Sequence, residues 1–229
     1  MAFIGYFELQ ERLVTDFPDL LLENCCSGGG WFDAGMLYDS PQIWTSDNGE
    51  AIDRLGIQEA TALVYPLSSM GAHITCCPCH INGRITPFDT RGKVSVPGCF
   101  GYELDISKLT AEERAMIPAQ LEAYRLYGPI FHRGDCYRLA SYTKNHSYDA
   151  VMAVSKDQSQ AAVLYVQVIS RAYRRSLRLL LKGLDRNAQY RECKSGEIRS
   201  GASWMHGGLL LKDVQADFHS ELIVLEIVE

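Results

Sequence analysis

Apolar positions over roughly the first 130 residues recur with two periods in turn. The opening segment places Tyr6, Leu9 and Leu13 on one face of a helix, with Glu8 and Arg12 at a favourable four-residue spacing. "DLLLENC" follows as a short continuous apolar run closed by a glycine-rich loop. "QIWTS" is a second such run, and after it a helical stripe carries Ile52, Leu55, Gly56 and Leu63. "PLSSMGAHIT" and "GCFGYELD" predict a third and a fourth strand. A helix from about Ala111 to Tyr127 opens on Thr110 and Glu113, spaced as a capping box, with Leu109 placed as a hydrophobic staple. Continuous apolar runs alternating with helices predict a parallel sheet covered on both faces.

After "YGPIF" the texture changes to short β runs: "YRLASY", "DAVMAVS", "AAVLYVQVIS", "LRLLLKGL", "AQYREC", "GGLLLK" and "ELIVLEIVE". Turn residues separate them at intervals typical of an antiparallel sandwich. The expected organisation is therefore α/β plus all-β, with domains at residues 1–132 and 133–229. About four βα units fit into the first part, whereas a closed (β/α)8 barrel needs eight. No internal repeat or low-complexity tract interrupts the chain.

With 229 residues, 47% hydrophobic and 22% charged, the chain has the composition of a globular protein of one large or two smaller domains. A net charge of −6 argues against nucleic-acid binding, which demands clustered Lys and Arg. The one basic cluster, Arg171 to Arg175, reads as a solvated turn. No apolar run approaches the ~20 residues that span a bilayer, so no membrane partner is expected. The first residues carry acids where a signal peptide carries positive charge, which predicts a cytoplasmic location. In that reducing compartment the eight cysteines are expected as free thiols, metal ligands or core fillers.

Candidate chemistry lies where the predicted strands end. Gly28, Gly29 and Gly30 directly follow the first strand, in "ENCCSGGGWFD", and match neither the dinucleotide fingerprint nor the P-loop. The loop is either a flexible strand-to-helix turn or a sugar-facing loop on the rim of a barrel. Asp47 is either the N-cap of the following helix or a catalytic carboxylate at the end of its strand. Asn48 is the better-placed cap for a helix starting near Glu50, which leaves Asp47 at the strand end. Trp44, three residues earlier, offers an aromatic face on which a sugar ring can stack. Cys76, Cys79 and His80 form C-x-x-C-H, the spacing of c-type haem attachment. Without an export signal, or a second regular Cys/His pair beyond His73 and Cys99, they read as ordinary thiols rather than a haem or zinc site. His73, ending the third strand, either faces the same rim or is a hydrogen-bonded structural residue.

The runs "ENCCSGGGWFDAGMLYDSPQIWTSDNGEAIDRL", "YPLSSMGAHIT", "GRITPFDTRGKVSVPGCFGYELD" and "YRLYGPIFHRGDCYRL" together resemble the α-galactosidases of glycoside hydrolase family thirty-six. The likeness covers almost the whole chain and is strongest from Leu22 to Leu139. It implies the C-terminal half of a (β/α)8 TIM barrel followed by an antiparallel β-sandwich domain. It also implies retaining hydrolysis of terminal α-galactosyl units, as in melibiose and raffinose. Asp47 falls on the family's general acid/base, and Cys25, Ser27 and Gly28 on the loop that lines its galactose pocket. No metal or organic cofactor is implied. Two departures stand out. Trp31 occupies a position where the family usually has Arg, and the Lys-Trp-Asp motif of the family's nucleophile is absent from these residues and expected before Met1.

Retaining hydrolysis needs two carboxylates about 5 Å apart, one to attack and one to protonate the leaving oxygen. The expected partners are thus an α-galactoside oligosaccharide and either a chain supplying the other barrel half or a second copy, because half a barrel leaves open strand edges. Two other readings are a non-catalytic carbohydrate-binding fragment and a C-x-x-C-H metal protein.

Overall fold

The computed structural model describes residues 2–25, 27–172, 176–212 and 214–228. Three residues of the basic cluster, 173–175, and Cys26 of the glycine-rich loop lie outside them. The first region runs α1 (Ala2–Asp16), β1 (Glu23–Asn24), α2 (Met36–Asp39), β2 (Gln42–Trp44), α3 (Ala51–Thr61), β3 (Met70–Thr75), α4 (Phe88–Ser95), β4 (Cys99–Glu103) and α5 (Ala111–Arg133). Then come β5 (Asp135–Ala140), α6 (Tyr142–Asn145), β6 (Tyr148–Val154), β7 (Gln160–Gln167) and β8 (Leu177–Leu179). The remainder is β9 (Gln189–Glu192), β10 (Ile198–Ser200), α7 (Gly201–Gly207), β11 (Leu209–Leu211) and β12 (His219–Ile227). No helix among the described residues is long and apolar enough to cross a membrane.

The first four strands form a parallel sheet in sequence order, so the loops that follow all four emerge at one rim. Alternation along the strands divides its faces. Ile43, Met70, Ala72 and Ile74 point to the helices and are fully buried. Register pairs Glu23 with Gln42, Trp44 with Gly71, and His73 with Gly101, which places Glu23, Gln42, Trp44, His73 and Glu103 on the opposite face. This is the order and polarity of half a (β/α)8 barrel, with the polar face where a closed barrel has its interior.

Three sequence expectations shift here. "DLLLENC" yields only the two residues of β1, and Leu20 and Leu21 are exposed. Half of Leu9 is open to solvent, and α1 instead anchors β1 through a polar chain, Gln10 Nε2 to Asn24 Oδ1 (2.7 Å) and Asn24 Nδ2 to Ser40 Oγ (2.7 Å). The stripe on α3 ends at Thr61, leaving Leu63 exposed. All three departures lie at an edge or an end of the sheet, where fewer neighbours cover the apolar side chains.

The capping box of α5 is present: Thr110 Oγ1 accepts from Glu113 N–H (3.1 Å), and Glu113 Oε2 accepts from Thr110 N–H (3.0 Å). Thr110→Ala is expected to lower stability by about 1 kcal/mol, read from urea unfolding. The helix passes the expected end at Tyr127 and runs through Pro129 to Arg133. Ile130 and Phe131 are buried against the second sheet, and that burial outweighs the lost backbone bond.

The second sheet has six antiparallel strands, β10-β9-β12-β7-β6-β5, and a two-stranded sheet, β11-β8, lies over one face. Both faces of β7 are covered, which is why "AAVLYV" is continuously apolar. Ala161, Val163 and Tyr165 pack with Leu179, Leu211 and Trp204. Ala162, Leu164 and Val166 pack with Ile52 and Leu55 of α3, Val94 of α4 and Phe131 of α5. One core therefore joins the helices of the parallel sheet to the antiparallel sheet.

Candidate active site

Two rim loops meet beside Asp47. After β1 the chain turns through Ser27, Gly28 and Gly29 at positive φ, +50°, +73° and +94°. A Cβ at Gly28 would lie 2.4 Å from the Asp47 backbone nitrogen, and one at Gly29 would lie 2.5 Å from the Thr45 carbonyl oxygen. Both the dihedrals and the contact require glycine here. The glycine loop thus rests directly on the backbone that carries Asp47. The Cys25 thiol points to Asp47 Oδ1 at 3.8 Å. Asp47 is exposed at the rim, as is Ser27, whereas Cys25 and Gly28 are half-buried.

Asp47 does not cap α3, but neither does Asn48, which was expected to. The N-cap is Glu50, whose buried carboxylate accepts from the Ile52 and Asp53 N–H groups (2.9 and 3.0 Å). Asn48 shapes the approach instead. Its Oδ1 accepts from Glu50 N–H (3.2 Å), and its amide donates to Asp53 Oδ2 (2.9 Å). The loop after β3 locks onto the same cap. Thr86 Oγ1 donates to Glu50 Oε1 (2.7 Å), and Arg84 pairs with Glu50 and with Asp53 Oδ1 (2.9 Å).

Trp44 is buried at the end of β2. Its indole stacks on the His73 ring (centroids 5.0 Å apart, planes 20° apart), and the Arg54 guanidinium lies 4.3 Å from its centroid. Glycines at 71 and 101 leave room for these rings: a Cβ would lie 3.0 Å from Trp44 Cε3 and 2.8 Å from His73 Cδ2, respectively. His73 stands between Glu23 (3.8 Å) and Glu103 (3.9 Å), and Glu23 also accepts from Gln42 Nε2 (2.7 Å).

Arg54 escaped sequence reasoning. It donates to Thr45 Oγ1 (2.9 Å), the Gly71 carbonyl (2.6 Å) and Gln58 Oε1 (3.1 Å), tying α3 to the ends of β2 and β3. Burial lowers its pKa to about 10, partly offset by the Glu103 charge. The one available signal was a charged residue inside the apolar stripe of "AIDRL".

The C-x-x-C-H residues are not gathered into a site. Cys76 and His80 are exposed, Cys79 is buried, and Cys77 Sγ contacts the Thr86 carbonyl (3.7 Å). Cys99 lies apart from them, with Sγ 3.0 Å from the Ser68 carbonyl, and burial together with the Glu23 charge raises its pKa to about 11. Among the described residues no group of three or more His, Cys, Asp or Glu side chains is arranged to hold a metal ion.

This geometry has counterparts in known proteins. Residues 1–134 match the Melibiase family model, and residues 148–225 match the glycosyl hydrolase family 36 C-terminal domain. The chain is 42% identical over 226 residues to alpha-galactosidase AgaA of Geobacillus stearothermophilus, covering 99% of this chain and 31% of that protein. It is 42% identical over 218 residues to the bifunctional alpha-galactosidase/sucrose kinase AgaSK of Mediterraneibacter gnavus, covering 95% of this chain and 23% of that protein. The solved structure of a doubly substituted variant of AgaA from Geobacillus stearothermophilus in complex with raffinose superposes with a TM-score of 0.94 at 41% identity, over 98% of this chain and 31% of that one. The chain thus spans less than a third of the length of these relatives.

Proposed function

The chain belongs to the melibiase family, and on that premise we propose that it supplies the acid/base half of a retaining α-galactosidase site. The observation that carries the reading is the meeting of the glycine loop with the Asp47 segment, where Cys25, Gly28 and Asp47 converge on one rim. Asp47 protonates the leaving glycosidic oxygen and then takes a proton from the attacking water. Cys25, Ser27 and Gly28 line the galactose pocket, and Trp44, expected to stack on the sugar, instead backs it as a buried ring held by His73 and Arg54. The substrate class is a terminal α-galactoside, in keeping with one relative, AgaA of Geobacillus stearothermophilus, variants of which are solved in complex with raffinose and with stachyose.

The opposing carboxylate, the nucleophile, comes from outside these residues, because the sequence contains no Lys-Trp-Asp. A segment that pairs with the open edges of the parallel sheet supplies it. Residues 1–132 form the catalytic half, and residues 133–229 brace it through the shared core. This chain on its own is expected to hydrolyse nitrophenyl α-galactoside negligibly. Robust turnover by the isolated chain that disappears in Asp47→Asn would contradict the assignment of the nucleophile to another segment. Calorimetry separates the neighbouring reading: galactose binding that persists without turnover after the missing strands are restored indicates a non-catalytic sugar-binding protein.

A further inference from the structure

The end of α3 remote from Asp47 meets the antiparallel sheet through a set of charges that galactoside chemistry does not use. Glu59 on α3 takes Arg138 Nε of β5 at 2.8 Å and the Ser141 hydroxyl at 2.6 Å. Beside it lies Asp149 of β6, 8% exposed, whose Oδ2 accepts the Tyr142 N–H at the start of α6 (2.9 Å). A cavity of about 120 Å³ opens at this junction, between Leu55 and Leu67 on one side and Cys136, Asp149, Val151 and Leu164 on the other.

Charge counting decides what this cluster does. The charged groups acting on Asp149 are Glu59 from α3 and Arg138 from β5, and the thiol of Cys136 and phenol of Tyr137 share its cavity. Two carboxyls therefore share one guanidinium, and Glu59 already holds it. An ionised Asp149 would be a second carboxylate competing for that guanidinium in a largely buried place.

We propose that Asp149 and Glu59 form a pH-governed latch between α3 and the antiparallel sheet, closed while Asp149 carries its proton and loosened when it ionises. The cavity opens to the surface and has room for water, so the loosened state can hydrate the new charge without unfolding the sheet. The latch acts on the helix that begins just after Asp47, and so couples the antiparallel sheet to the rim by proton occupancy. It goes beyond the galactosidase reading and does not depend on it.

Burial, with the Glu59 charge adding to it, raises the pKa of Asp149 to about 7. A carboxyl whose folded pKa lies above its unfolded value holds its proton more tightly when folded. Its stabilisation is complete below about pH 4, declines as the pH rises, and is lost above about pH 7.

The test is thermal unfolding of the full chain and of Asp149→Asn from pH 5 to pH 8.5. The wild type is expected to lose Tm across this range relative to the variant, by roughly 5 °C. Glu59→Gln removes the neighbouring anion and is expected to move the wild-type transition to lower pH. Hydrogen exchange on the wild type is expected to show the C-terminal turn of α3 losing protection above pH 7, after correction for intrinsic exchange. Parallel Tm profiles for the wild type and Asp149→Asn would overturn the proposal. If Asp149→Asn does not fold, an unmoved transition in Glu59→Gln, or unchanged α3 protection across pH 7, would do the same.

Discussion

Asp47→Asn is expected to lower kcat/KM on raffinose by about 10³-fold when this chain is rejoined to the preceding two thirds of its Geobacillus relative. A general acid/base contributes roughly 10²–10⁴-fold, and the amide of Asn can neither give nor take the proton. The size of the loss should follow the leaving group. The sugar leaving raffinose is a poor one and needs protonation as the bond breaks, whereas nitrophenolate leaves largely unaided. The first step with nitrophenyl α-galactoside is therefore expected to suffer much less, and hydrolysis of the covalent intermediate becomes limiting. Azide, which needs no general base, is expected to restore turnover of the aryl substrate. A purely structural role for Asp47 would instead depress both substrates equally and leave azide without effect. The geometry makes the substitution a mild one for the fold, since Asp47 is exposed and caps no helix.

The second large effect is expected at Gly28. Substituting alanine places a Cβ where φ is +73° and where the Asp47 backbone nitrogen is only 2.4 Å away. Left-handed backbone costs an L-residue about 1–2 kcal/mol, and an overpacked contact adds about 1–3 kcal/mol. Gly28→Ala should therefore lose roughly 2–5 kcal/mol in urea unfolding. Gly83→Ala is the matched control, because Gly83 has nearly the same φ, +72°, and nothing within 4 Å of its missing Cβ. It should lose only the backbone part, about 1–2 kcal/mol. Equal losses would show that the contact with the Asp47 segment contributes nothing. In the rejoined enzyme Gly28→Ala is also expected to cost about 10²-fold in kcat/KM, the scale of a misplacement near 1 Å at a reacting group.

What could be read from the sequence follows from which interactions are local. The four parallel runs, the capping box at Thr110 and Glu113, and the strand run of β7 were legible because each depends on residues close in the chain. The cap of α3 was not. Asn48 is the statistically favoured type, but Glu50 is held by Thr86 and Arg84 from a loop more than thirty residues away, and no local rule contains that contact. The end of α5 misled for a related reason: Pro129 marks a stop, while burial of Phe131 under a distant sheet keeps the helix going. Helix α7 was missed because seven residues between glycines are too short to show a period, although Ser200 caps it and Trp204 fills the second core. At the site, Asp47, Cys25 and Gly28 were found through motif resemblance. His73 was a candidate from its place at a strand end, but Arg54, the two glutamates flanking His73, and the Glu50 network show themselves only once the strands are in register.

The central proposal is that Asp47 delivers the proton to the glycosidic oxygen. The most direct measurement is a crystal structure of the rejoined protein with raffinose bound, made with its nucleophile disabled. An Asp47 carboxylate oxygen is expected within about 2.6–3.2 Å of the glycosidic oxygen, or joined to it by one water. Another carboxyl at that place, with Asp47 turned away to solvent, would contradict it.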